Sequence, residues 1–124
     1  LDGIAGRTFT APLAQVKNAS LAALDRMGLS LGSTSSYESG ETIYARAANR
    51  DIEIELEPIT QQLTRLRVTA KGGGLLYDNS TAVELVAQTE KQLDTAMAKL
   101  VPAVPAQAQG PATAGAGSST KIGF

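Results

Sequence analysis

The clearest pattern in the chain is a strict alternation over residues 51–57, where every odd position is acidic and every even position is apolar. A period of two predicts a strand with one buried face and one wet face. Residues 63–71 alternate in a similar way, but their odd positions from Arg65 onward are mostly basic. The intervening residues 58–62 predict a hairpin that joins the two strands.

One register of this hairpin sets opposite charges against each other. Opposite charges that face each other across two strands contribute about 0.2–1 kcal/mol per pair. A slip of one residue would expose the apolar side chains to water, so the alternation disfavours such a slip. A slip of two residues keeps both faces, so the alternation leaves the exact pairing open. The favoured register contains the pairs Glu57–Arg65, Glu55–Arg67, Asp51–Lys71, Leu56–Leu66 and Ile54–Val68.

Helical spacing appears on both sides of the strand region. The first predicted helix has Thr10 as its cap and Pro12 in its first turn, and it stops at Gly28. The second begins near residues 79–81, where Thr81 and Glu84 have capping-box spacing. The predicted buried stripes are Leu13, Val16, Ser20, Ala23, Leu24 and Met27 in the first helix, and Leu85, Val86, Leu93, Ala96, Met97 and Leu100 in the second.

Three further strands are predicted. The first covers residues 7–10, and the second starts at residues 29–31 and fades into the polar stretch 33–36. The third covers residues 41–47, with Ile43 facing the core. The order β-α-β-β-β-β-α predicts an α+β two-layer sandwich, in which a mostly antiparallel sheet of four to five strands carries two helices on one face.

Two regions of different composition are expected: a compact domain over residues 1–101 and a C-terminal tail over residues 102–124. The first nineteen residues of the tail contain six Ala, three Pro and three Gly and no charge. This composition is typical of a linker, and it is also compatible with a segment that becomes ordered on a partner. In the second interpretation Lys121, Ile122 and Phe124 form the terminal anchor.

The composition narrows the possible chemistry. The 124 residues include no Cys, His or Trp, which excludes thiolate or imidazole metal sites and Cys or His nucleophiles. Eleven basic and twelve acidic residues give a net charge of −1, so no basic excess favours binding to nucleic acid. We therefore expect a protein that is not an enzyme and has no cofactor.

Three motifs suggest chemistry, but a structural explanation suits each of them better. Glu53, Glu55 and Glu57 would share one strand face as a carboxylate cluster, but facing arginines would neutralise them. The glycines at 72–74 lack the spacing and the Lys-Ser/Thr ending of a phosphate-binding loop. Ser80 and Thr81 have no base partner in the sequence, so helix capping is the better explanation.

Four segments occur in one order along the chain: Phe9-Thr-Ala-Pro-Leu13, Leu24-Asp-Arg-Met-Gly-Leu29, the charged hairpin and Tyr77-Asp-Asn-Ser80. Together they resemble an uncharacterised family of small bacterial envelope proteins, many of which are predicted lipoproteins. The resemblance spans about residues 5–100, and it implies an α+β fold, export, and attachment through a lipidated Cys upstream. The chain starts at Leu1 and contains no Cys, so we expect a processed or cropped product whose anchor, if any, lies outside it.

The resulting hypothesis is a non-catalytic accessory or structural subunit of a bacterial envelope assembly, located in the periplasm or at the outer membrane. Its partners would be other protein subunits, with membrane contact only through an upstream anchor. The alternative is a periplasmic module that binds a small ligand or lipid between the helices and a curved sheet. The residues predicted to bind the partner are Tyr44, Arg46, Glu53, Glu55, Arg65, Arg67, Lys121, Ile122 and Phe124.

Overall fold

The described residues form a five-stranded antiparallel sheet with two helices packed on it. The structure is a computed structural model that describes residues 3–72 and 78–100. The strand order β1-β5-β4-β3-β2 puts β4 in the middle of the sheet. The α+β architecture and its element order are confirmed. The elements are β1 (Ile4–Phe9), α1 (Leu13–Arg26), β2 (Ser30–Tyr37), β3 (Gly40–Ala47), β4 (Arg50–Thr60), β5 (Leu63–Lys71) and α2 (Asn79–Leu100).

The hairpin of β4 and β5 has the register that the charge pattern favours. Glu57 lies opposite Arg65, Glu55 opposite Arg67, and the apolar pairs follow on the other face. A shift in register between Pro58 and Thr60 marks the end of regular pairing at the turn. The apolar alternation excludes the one-residue slip, and the structure selects the pairing with matched charges over the two-residue slip.

The core lies between the sheet and the helices as one continuous cluster of buried side chains. Both helices contribute to this cluster, so they lie on the same face of the sheet, as predicted. The even positions of the charged hairpin supply its centre, where they are almost completely buried. Its larger members are Phe9, Val16, Leu24, Ile43, Ile52, Ile54, Leu56, Leu66, Val68, Leu85 and Leu93.

The start of α1 differs from the sequence prediction, while its end agrees. Pro12, not Thr10, occupies the N-cap position, and no side chain caps this end. Thr10 lies two residues too early for its hydroxyl to reach the free amides of the first turn. At the other end Gly28 has a φ of 72°, and the Leu29 amide donates to the Leu24 carbonyl at 2.9 Å. This left-handed residue stops the helix as predicted.

Strand β2 is longer than its side chains suggest. The prediction that it fades over residues 33–36 is wrong, because pairing with β3 continues to Tyr37 with one bulge between Leu31 and Ser33. All eight residues of β2 are exposed. Backbone hydrogen bonds to the neighbouring strand therefore hold this segment in the sheet, and burial of its side chains contributes little.

Helix α2 begins at Asn79, as predicted, but its capping residue is not the predicted Thr81. The Asp78 carboxylate accepts a hydrogen bond from the Thr81 amide at 3.0 Å, so Asp78 is the cap and Thr81 lies inside the helix. Aspartate is among the best N-cap residues.

The buried stripe predicted for α2 is correct for its first part only. Ala96 and Met97 are exposed, and Leu100 lies outside the described side chains.

The chain divides into two compact units between Asp94 and Thr95. Of the second unit, the structure describes residues 95–100, which continue α2. The predicted tail over 102–124 and most of the glycine turn at 72–74 lie outside the described residues. Within those residues, no helix is both long and apolar enough to span a bilayer.

Candidate functional site

The sheet surface opposite the helices, called the outer face below, carries most of the residues singled out from the sequence. Residues that are directly paired across antiparallel strands point to the same face. Glu53 of β4 lies opposite Tyr44 of β3 on one side and Thr69 of β5 on the other, so these three strands contribute to the same surface. The outer face comprises Ile4, Gly6, Thr8, Ser33, Ser35, Tyr37, Gly40, Thr42, Tyr44, Arg46, Asp51, Glu53, Glu55, Glu57, Arg65, Arg67, Thr69 and Lys71.

Two ion pairs form a ladder between β4 and β5 on this face. Arg65 Nη1 lies 3.1 Å from Glu57 Oε1, and Arg67 Nε lies 3.7 Å from Glu55 Oε1. Both partners of the first pair are 56% exposed, so water screens the attraction and each pair adds at most about 1 kcal/mol. Glu55 and Glu57 therefore have the cationic partners that the solvated cross-strand ladder predicts, whereas Glu53 lies opposite Tyr44 and Thr69.

A third charged row crosses the face nearer to the turn between β3 and β4. Arg46 Nη2 lies 3.6 Å from Asp51 Oδ1, and Lys71 lies opposite Asp51 on the other side. The Arg46 and Asp51 side chains are about three-quarters exposed. This row presents alternating cation, anion and cation to solvent, so it offers charge of both signs to a binding partner.

Aromatic and aliphatic side chains interrupt the charges. Tyr44, Tyr37 and Ile4 are each about two-fifths exposed on the outer face. The Tyr37 ring lies over Gly40, where an added Cβ would approach the ring Cζ to 3.0 Å and the Leu56 carbonyl oxygen to 2.8 Å. Only glycine therefore fits beneath this ring without displacement. The face combines apolar contact area with charged groups, as protein-binding surfaces do.

Two open depressions border the Tyr44 side of the outer face. The larger has a volume of about 420 Å³, and the smaller about 180 Å³. Tyr44, Asp51 and Ile52 line both of them. Neither depression is lined by a helix residue, so neither lies between the helices and the sheet. They provide concave places beside an exposed aromatic ring.

The structure thus brings together six of the nine residues predicted to bind a partner: Tyr44, Arg46, Glu53, Glu55, Arg65 and Arg67 all lie on the outer face. The other three, Lys121, Ile122 and Phe124, lie outside the described residues. Tyr37 and Ile4 belong to the same surface but are missed from the sequence. The bulge between Leu31 and Ser33 reverses the two faces of β2, so an alternation continued from Leu31 places Tyr37 on the helix side and misses it.

A separate polar cluster joins the start of β4 to the start of α2. Asp78 accepts hydrogen bonds from the Thr81 hydroxyl and amide and forms an ion pair with Arg50. The Thr81 hydrogen bonds, with a smaller contribution from Arg50, lower the pKa of Asp78 from 3.8 to about 2. Thr81 and Arg50 both bind the Asp78 carboxylate within this cluster. The cluster is therefore a helix cap rather than an acid–base pair.

Other polar groups have similar structural roles. Thr64 donates from its hydroxyl to the Ala11 carbonyl at 2.8 Å, which fixes the segment before α1 to β5. Lys17 Nζ lies 2.7 Å from Glu41 Oε1, and Arg7 Nη1 lies 2.6 Å from Glu90 Oε1. Among residues 3–72 and 78–100, no group of three or more metal-ligating side chains is arranged to hold a metal ion.

The fold and this surface define a two-layer α+β protein with helices on one sheet face and mixed charges on the other. No family model matches the chain, and no curated protein matches it.

Proposed function

We propose that this chain is a non-catalytic accessory or structural subunit of a larger assembly and binds another protein through its outer face. The observation that carries the proposal is the asymmetry of the sheet. Two helices bury one face, while no described element covers the other, which still displays Tyr37, Tyr44 and Ile4. These three side chains add apolar contact area that a docked partner would bury, and tyrosine is among the residues that contribute most to binding energy at protein interfaces.

The charges of the outer face define the kind of partner that fits. Adjacent acidic and basic rows favour a surface with its own alternating charges and disfavour a uniformly charged polymer. The ion pairs already formed within the sheet limit the gain from new ones, so Tyr44 and Tyr37 are expected to supply most of the affinity. The charged rows would then fix the orientation of the partner.

The cellular setting in this proposal is the bacterial envelope, in the periplasm or at the outer membrane. It follows only from the resemblance to small envelope proteins over residues 5–100. The tail, with Lys121, Ile122 and Phe124, is the second contact in the proposal, where these side chains would bind the same partner.

The alternative function, binding of a small ligand or lipid between the helices and the sheet, has less support among the described residues. The two depressions lie on the outer face, and the residues between the layers form a buried apolar cluster. A ligand-binding module of this kind would need a cavity on the inner side.

Site-specific photocrosslinking in cells of the source organism tests the docking surface. A photoreactive residue at Tyr44 is expected to form a discrete crosslink with one other protein. The matched control places the same residue at Glu84, which is exposed on α2 away from the outer face. The control should give no such product, because the helix layer is not the proposed contact.

A second arm measures whether the crosslink reports docking. Reversal of charge at Arg67 to Glu should weaken the Tyr44 crosslink, since it opposes Glu55 and changes the partner-facing row. A Tyr44 position that gives no crosslink, or the same products as position 84, would contradict the proposal. Crosslinking to a small molecule or lipid instead would favour the alternative.

A further inference from the structure

The edge of the sheet at β2 has the properties of a strand that pairs with another chain. Among the described residues β3 is the only strand neighbour of β2, so the other side of β2 presents backbone amides and carbonyls without a strand partner. All eight residues of β2 are exposed. Such an edge is a template for the addition of a further strand.

Proteins usually protect exposed edges with charge, proline, shortness or a bulge. Residues 30–37 contain no charged residue and no proline, and they extend for eight residues. One bulge lies between Leu31 and Ser33, and it leaves residues 33–37 in regular pairing with β3. Within the part of the chain that the structure describes, the only protective device of these kinds is therefore confined to one end of the strand.

The opposite edge of the sheet differs from β2 in its length and in its charge. Strand β1 has six residues and contains Arg7, whose guanidinium is paired with Glu90 of α2. A charged side chain held over this edge hinders addition of another strand. The contrast singles out β2 as the edge available for pairing.

We infer that β2 pairs with β2 of a second copy in antiparallel orientation, so that two sheets join into one continuous sheet across a two-fold axis. A two-fold contact uses the same patch on both copies and leaves no free β2 edge, so the assembly closes at a dimer. Pairing of β2 with β1 of another copy would instead continue without limit. It would also bring the Arg7–Glu90 pair into the contact.

The sequence of β2 suits self-pairing because it brings no like charges together. With Ser35 at the two-fold axis, Ser33 lies opposite Tyr37 of the second copy and Thr34 lies opposite Ser36. Serine and threonine hydroxyls form hydrogen bonds across strands, and Tyr37 gains a neighbour on the outer face. The contact is confined to one strand, so the expected dimer is weak and forms as concentration rises.

Sedimentation velocity of the full chain over a concentration series tests the pairing. The wild-type chain should shift from monomer to dimer as concentration rises, while Ser35→Lys should remain monomeric because two lysines would face each other at the axis. Ser35→Glu should likewise remain monomeric. An equal mixture of the two variants should dimerise again, since Lys and Glu then face each other.

Two controls separate the edge from other surfaces. Ala87→Lys adds the same charge on the exposed side of α2 and should dimerise like the wild type. The far-ultraviolet circular dichroism of Ser35→Lys should match that of the wild type. A wild-type chain that stays monomeric throughout the series would overturn the inference, as would a dimer that survives Ser35→Lys.

Disulfide trapping provides a readout that does not depend on the folding of charged variants. The chain contains no Cys, so Ser35→Cys introduces a single thiol. Opposed residues in an antiparallel pair have Cα atoms about 4.5–5.5 Å apart, a separation that a disulfide spans. Oxidation should link two copies through Cys at position 35, whereas Ala87→Cys should stay unlinked. Equal linkage at both positions, or none at position 35, would contradict the two-fold pairing.

This dimer forms through the backbone edge of β2, whereas the proposed docking uses the charged rows and Tyr44 of the outer face; Tyr37 contributes to both. If the charged rows of the outer face mediated self-association instead, Arg67→Glu would abolish the dimer and Ser35→Cys would give no disulfide-linked pair. That outcome would overturn the edge pairing.

Discussion

Asp78 shows how one carboxylate can serve both a helix end and a contact between distant segments. Its oxygens accept hydrogen bonds from the amide and hydroxyl of Thr81 and pair with Arg50 at the start of β4. The negative charge also lies at the positive end of the α2 dipole. Three favourable interactions thus converge on the ionised form, which is why its pKa falls to about 2.

Two substitutions of Asp78 should distinguish the stability that comes from helix capping from the stability that comes from the negative charge. Asp78→Ala removes both and should lower the free energy of unfolding by about 1 kcal/mol at neutral pH. Asp78→Asn keeps a capping oxygen and should cost less. The ionised carboxylate stabilises the folded chain fully above about pH 4, and this contribution is lost as the pH falls toward 2. Urea unfolding at several pH values measures both effects.

In that acid range the stability of Asp78→Asn should fall less steeply than that of the wild type, because it has no charge to lose at this position. Asp25→Asn, which alters an exposed carboxylate in the last turn of α1, serves as the control and should change the unfolding free energy by no more than about 0.5 kcal/mol. Parallel acid profiles for the wild type and Asp78→Asn would contradict the assignment.

At the scale of elements, the hairpin of β4 and β5 is specified by two patterns that agree. Its even positions enter the core and its odd positions form the charged rows of the outer face. The apolar pattern excludes a one-residue slip at a cost of several buried side chains, whereas the charges distinguish only between registers that keep the same faces. Hydrophobic burial therefore supplies most of the stability, and the ion pairs refine the alignment.

A double-mutant cycle on Glu57 and Arg65 should measure how much this ion pair contributes to stability. Replacement of either residue by Ala should reduce stability slightly, and the coupling energy between the two should be about 0.2–1 kcal/mol. Because both side chains are more than half exposed, the coupling should fall at high salt. Urea unfolding in low and high salt measures this.

The matched control is a cycle on Glu57 and Arg67, which are not opposite each other in this register. It should give a smaller coupling energy. Equal coupling in the two cycles would show that general charge balance, rather than the specific pairing, is responsible.

At the scale of the whole molecule, one apolar cluster joins the sheet to both helices. Ile54 lies in the central strand and is completely buried, with Ile43 and Val68 directly opposite on the neighbouring strands. Domains of this size are stable by only about 5–15 kcal/mol, so a cavity at this position removes a large share of the total.

Ile54→Ala should lower the free energy of unfolding by about 2–5 kcal/mol, because it removes buried methyl groups and leaves a cavity. Ile59→Ala is a matched control in the same strand, since Ile59 is 42% exposed. It should cost less than about 1 kcal/mol. Denaturant unfolding of the two variants compares them directly, and similar losses would contradict the placement of the core.

The sequence by itself determined the element order, the two-layer architecture and the charged hairpin, because these follow from local periodicity. A period of two or of about 3.6 residues decides which side chains enter the core, and the matched charges favour one alignment. The outer face was foreseen for the same reason: Tyr44, Arg46 and the charged odd positions must point away from the apolar ones.

The tertiary structure alone decided the length of β2 and the pairing of Asp78 with Arg50. Ser-rich residues 33–36 carry no apolar alternation, so only the backbone of β3, brought beside them by the fold, extends β2 to Tyr37. The fold also brings Arg50, a residue 28 positions earlier in the chain, to the carboxylate that caps α2. Both outcomes depend on contacts between segments that lie far apart or lack a pattern of their own, and local periodicity carries no information about such contacts.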